Sequence, residues 1–136
     1  MTGSRLSANS LLDMPLLERL AGLEPATALA ELAQLNLATS DTVKQLADVA
    51  LAQAEAKPEM VNRWLAIALA LNQMLDNNPA LQAQLNYTQA RLYVQEGNLA
   101  LAEITLRTAQ AIWQANGDQV ALMRSQLGLT QIFAMQ

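Results

Sequence analysis

Apolar residues recur along the chain at helical spacing, and turn-forming residues divide that pattern into seven segments. Asp13 precedes a short apolar stretch, Pro15 to Ala21, that Gly22 closes. Pro25 opens a second helix to about Leu35, with Ala26, Leu29, Leu32 and Ala33 on a mixed apolar stripe. Thr39, Ser40 and Asp41 are N-cap residues before a third helix, predicted to end near Ala56, on which Val43, Leu46, Ala47, Ala50, Leu51 and Ala54 share one face. Pro58 starts a fourth. From Trp64 to Leu71 every residue of that helix is apolar, which predicts burial on more than one side and a place at the centre of the core.

Asp76-Asn77-Asn78-Pro79 breaks the pattern, and the stretch from Pro79 to Gly117 reads as two helices folded against each other. Pro79 fits a first helical turn, where its missing N–H costs nothing, and Gly97 supplies a stop that tolerates positive φ. Asn98 then caps a helix from about Leu99 to about Ala115, stopped at Asn116-Gly117, and Asp118 caps a seventh helix running to Gln136. Residues 1–12 carry small polar side chains without a period and are expected to be flexible unless Leu11 and Leu12 dock. The pattern predicts an all-α fold with Trp64, Ile67, Leu71, Leu92, Tyr93, Leu106 and Trp113 mostly buried. Helix starts near residues 42, 80 and 118, and near 58 and 98, recur at about 38–40 residues, the period of a solenoid of helical hairpins.

The spacing of Ala90, Tyr93, Gly97, Ala102, Leu106 and Ala109 resembles the tetratricopeptide repeat, in which small and large residues alternate where two antiparallel helices cross closely. Leu127-Gly128 resembles the Leu-Gly pair of a first repeat helix. The resemblance implies a right-handed α-α superhelix of antiparallel helical hairpins, with two N-terminal helices (13–38), a first repeat (40–79), a second (79–117) and an unpaired or capping helix (118–136). It further implies a non-enzymatic scaffold that binds a protein or peptide on its concave face, lined by the first helix of each repeat. Tyr87, Arg91 and Gln95, spaced by four on the fifth helix, and Arg124 on the seventh are the partner-binding residues this implies. Longer repeats ending in Gly-Asp, as at Gly117-Asp118, are similar to those of large bacterial signalling proteins. The alternative is therefore a sensor or regulatory part of such a protein, whose effector, for example a caspase-like CHAT peptidase domain, lies after residue 136.

Composition narrows the chemistry. Apolar residues make up 52% of the chain and aromatics only 4%, which favours close-packed helices over sheets. The sequence holds neither Cys nor His, so disulfides, thiolate chemistry, imidazole bases and the commonest zinc ligands are excluded. No catalytic, cofactor or metal residue is expected, and a cytoplasmic protein fits best. Of the net charge of −4, the excess acid lies in residues 1–55, where Arg5, Arg19 and Lys44 are the bases, and residues 56–136 are balanced. Neither half is basic enough to track nucleic-acid phosphates. Ser7, Asn9, Ser10 and Asp13 interrupt any signal-like apolar run, and the run from Trp64 to Leu71 is far short of the ~20 residues that span a bilayer, so no membrane partner is expected.

Three other features have two readings. Trp64 and Trp113 could stack a ligand, but their aliphatic neighbours at helical spacing favour core packing. Glu55 and Glu59 lie four apart like paired carboxylates, yet Pro58 interrupts the helix between them and a solvated turn is the better reading. Gly97-Asn98 and Gly117-Asp118 follow no strand and read as helix stops rather than phosphate loops. On the seventh helix, Leu122, Leu129, Ile132 and Phe133 are expected to form a half-covered face and to make a symmetric homodimer through the C-terminal helix.

Overall fold

Side-chain capping starts most of the helices, and glycine or asparagine in the left-handed region ends several of them. The computed structural model describes residues 12–136, which form α1 (Met14–Ala21), α2 (Pro25–Gln34), α3 (Ser40–Gln53), α4 (Pro58–Met74), α5 (Pro79–Gln95), α6 (Leu99–Asn116) and α7 (Gln119–Met135), with no strand among the described residues. Asp13 accepts the Leu16 N–H at 3.0 Å, Asn98 that of Leu101 at 3.3 Å and Asp118 that of Ala121 at 3.1 Å, satisfying donors that have no partner within the helix. Gly97 (φ 81) and Gly117 (φ 72) turn the chain after α5 and α6, and Asn36 (φ 60) and Asn77 (φ 50) do so after α2 and α4. The third helix begins at Ser40 under a Thr39 cap and ends at Gln53, three residues before the expected limit. Of the segment expected to be flexible, residues 1–11 lie outside the described residues. Leu12 is buried, and its N–H donates to Gln45 Oε1 at 3.1 Å.

Helix α4 is the hub of the N-terminal half, in contact with α1, α2, α3 and α5. Trp64 at its centre is fully buried, and its indole N–H donates to the Leu17 carbonyl at 2.8 Å, which settles it as a core residue that ties α1 to α4. On the outside, Arg19 Nη2 donates to Glu31 Oε1 at 2.9 Å and joins α1 to α2. The expected stripe on α2 is corrected: Ala28 and Leu32 are buried and Leu29 partly so, while Ala26 and Ala33 face solvent. Buried Asn72 closes the turn into α5. Its amide accepts the Asn78 N–H at 3.1 Å and donates to the Asn78 carbonyl at 3.2 Å, so a side chain substitutes for two backbone partners.

Helix α5 packs on both α3 and α4 and, most extensively, on α6, and α6 in turn packs on α7. Leu85 and Leu92 join the N-terminal core, whereas Ala83 and Ala90 join two smaller clusters on the other side. At 100° per residue these are opposite faces of one helix, a large face and a small one. Ala90 and fully buried Ala102 fall in one cluster with Leu106, Leu129 and Ile132, at the contact of α5, α6 and α7. Of the seven residues expected in the core, Tyr93 is the exception, half-buried against that cluster while the others are buried.

Trp64→Phe should cost about 2–4 kcal/mol, because it removes volume and the indole donor of a buried hydrogen bond. Ala102→Leu should overpack the α5–α6 contact by about 1–3 kcal/mol. Urea midpoints at unchanged slope measure both, and a neutral Ala102→Leu would show that the two helices do not meet closely there.

Candidate functional site

The small face of α5 leaves room between helices. A groove of about 290 Å³ runs between α5, α6 and α7. Its floor includes the buried side chains of Ala90, Leu106 and Ile132 together with Gly128, and its sides carry Glu55, Tyr87, Arg91, Val94, Gln95 and Gln131. Gly128 suits this shape: a Cβ built there would lie 2.8 Å from Leu106 Cδ2, so a side chain at this position would push the Leu106 methyl aside.

Three of the four expected partner-binding residues, Tyr87, Arg91 and Gln95, lie together on one wall of the groove. Arg124 reaches the same wall from α7, its guanidinium carbon 5.8 Å from the Tyr87 ring centroid. Tyr87 also packs on Trp113, at 5.9 Å between centroids and an angle of 56°. The aromatic partner and the cation hold the Tyr87 ring in place, and they commit part of its surface to the fold. Trp113 is buried, which assigns it to packing.

Arg91 is more available. Its Nη2 lies 4.0 Å from Glu55 Oε2, with the two side chains 44% and 83% exposed, and water screens such a pair strongly enough that a ligand carboxylate or amide can displace it. Glu55 therefore belongs to the groove and not to a carboxylate pair with Glu59, which sits in the first turn of α4. Beside it Gln84 donates to Asp48 at 2.8 Å, so polar side chains bridge α3 and α5 along the same edge. Glu55, Gly128 and Gln131 were not among the expected site residues. The signal for Glu55 and Gln131 was the period, since a step of about 40 residues relates Glu55 to Gln95 and Arg91 to Gln131, and that for Gly128 was its place in the Leu127-Gly128 pair.

Two other depressions are lined by apolar and charged side chains together. One of about 420 Å³ lies between α2 and α4 around Glu59 and Arg63, and one of about 580 Å³ lies beside Lys57 and Glu18; neither is floored by a buried leucine or isoleucine. No group of three or more carboxylates is placed to hold a metal ion among the described residues, and none of their helices is long and apolar enough to cross a membrane. No family model, curated protein or solved structure matches the chain.

Trp113→Ala should cost about 3–5 kcal/mol and release Tyr87 from its ring contact. Thermal or denaturant melts read the first effect, and the near-ultraviolet dichroism of the tyrosines reads the second. A loss under about 0.5 kcal/mol would place Trp113 outside the core.

Proposed function

We propose that the chain is a protein-interaction module of the tetratricopeptide type, in which the α3–α4 and α5–α6 hairpins and α7 stack as successive repeat units in a right-handed superhelix. A peptide or a segment of another protein lies in the groove between α5, α6 and α7. The observation that carries this reading is the groove itself, an apolar floor at Ala90, Leu106 and Ile132 beside a polar wall that bears Tyr87, Arg91 and Gln95. Such a floor takes an apolar anchor of the ligand, and the wall supplies hydrogen bonds that fix its direction. The contacts of α5 with both helices of the preceding hairpin support the repeat reading, because each first helix of a stacked array packs on the hairpin before it. Tyr87 and Arg124 act here mainly as a rigid support, and Arg91, Gln95, Glu55 and Gln131 are free to exchange their contacts for those of a ligand.

Peptides selected against the full chain from a random library test the reading. Arg91→Ala and Gly128→Val should each weaken the selected peptides by about tenfold or more, the first by removing a charged donor and the second by filling the floor. Arg63→Ala, at the depression between α2 and α4, should leave binding unchanged. Peptides that lose affinity with Arg63→Ala and not with Arg91→Ala would place the interaction elsewhere.

A further inference from the structure

Helix α7 bounds the groove with Gly128, Gln131 and Ile132, and its inner face is covered. Of the face expected to be half-covered, Leu129 and Ile132 are buried and Leu122 is partly so, which corrects that expectation. Phe133 alone of the four is exposed, and the Arg107 guanidinium carbon lies 5.7 Å from its ring centroid. Val120, Met123 and Leu127 face solvent on the other side of the helix. The groove itself has an excess of positive charge, although the chain carries a net charge of −4. Glu55 and Arg91 are the charged residues that line it, and Arg124 brings a second guanidinium to Tyr87. Elsewhere arginines meet carboxylates closely, Arg19 with Glu31 at 2.9 Å and Arg107 with Glu103 at 3.0 Å. Arg91 lies 4.0 Å from Glu55, too far for a hydrogen bond, and Arg124 has an aromatic ring beside it, which attracts the cation without neutralising it. Among the described residues neither guanidinium donates a hydrogen bond to another side chain or to the backbone.

We infer that the groove selects a peptide with an Asp or Glu side chain beside its apolar anchor, with Arg91 as the specificity-determining residue and Glu55 as an internal competitor for it. This rests on the groove being the peptide site. The planar fork of a guanidinium meets a carboxylate through two parallel hydrogen bonds, which the 4.0 Å contact with Glu55 does not supply. An incoming carboxylate gains those bonds at little cost, because Glu55 is 83% exposed and returns to water when displaced. A ligand amide accepts through a single oxygen and carries no charge for the two cations to attract, and a Lys or Arg of the ligand would meet two like charges. Ala90 on the floor and Arg91 on the wall are consecutive in α5, so the anchor and the acid come from close neighbours in the ligand. Glu55 holds the place of the acid until a ligand arrives, and it lowers the affinity for every acidic peptide that does.

Synthetic forms of the peptides selected against the full chain, capped at both ends so that their only carboxylates are on side chains, test this by isothermal titration. Each Asp or Glu peptide should bind about tenfold tighter than its Asn or Gln counterpart. Arg91→Gln should abolish that difference, and Arg91→Lys, which keeps the charge and loses the fork, should retain part of it. Glu55→Gln should tighten the acidic peptides by about threefold and leave the amide counterparts unchanged, a gain that a merely structural Glu55 would not give. Both side chains are exposed, so neither substitution threatens the fold. Selected peptides without an acid, acidic peptides no tighter than their amide counterparts, or a Glu55→Gln variant that fails to tighten them each overturn the inference. In those cases the groove stands as the peptide site as long as Gly128→Val still weakens binding. Peptides indifferent to Gly128→Val overturn both.

Discussion

The structure depends on α5 burying two opposite faces with side chains of different size. Leu85 and Leu92 fill the space left by α3 and α4, and on the other side small Ala83 and Ala90, with half-buried Tyr87 and Val94 beside them, let α6 come close. A helix with leucines on both faces would hold its neighbours apart at both contacts, and one with alanines on both would bury too little apolar area to be held. The asymmetry sets the spacing of everything after residue 79. Leu106 packs into the space the alanines leave, and Gly128 lets α7 follow the same surface past the Leu106 methyl.

The groove is a direct result of that spacing. Where α6 and α7 pass over the small residues, the larger side chains of α5 stand at the edge, and Tyr87 is fixed there by Trp113 and Arg124. Rigidity and availability are thereby divided among neighbouring residues. The aromatic ring is held by partners on two elements, and Arg91, one turn further on, has only a distant, solvent-screened carboxylate. A surface built this way loses little conformational entropy on binding at its anchor and retains exchangeable polar groups around it.

In the N-terminal half a few buried polar groups specify geometry that apolar packing alone would leave loose. Trp64 and Asn72 each direct a side-chain hydrogen bond at a backbone group in another segment, Leu17 and Asn78. Such bonds add little net stability each, but leaving one unmade is costly, so they penalise alternative packings of α1 and of the α4–α5 turn.

Helix number, type and limits were legible from local signals: Pro at first turns, Asp13, Thr39, Asn98 and Asp118 as caps, and Gly97 and Gly117 as stops. These act within four or five residues, so no tertiary information is needed to read them. The burial of Trp64 and Trp113 followed from their aliphatic surroundings for the same reason. What the period of a single helix cannot show is which of two apolar faces is covered. On α7 the stripe of Leu129 and Ile132 and the stripe of Met123 and Leu127 are equally apolar, and only the approach of α6 at Gly128 chooses between them. Likewise, the sequence placed Tyr87, Arg91 and Gln95 on one edge of α5, but the contribution of Glu55 and Gln131 to the same groove required the packing of three helices distant in the chain. Secondary structure here is decided by short-range hydrogen bonding and backbone conformation, and the site by side-chain volumes at contacts between distant segments.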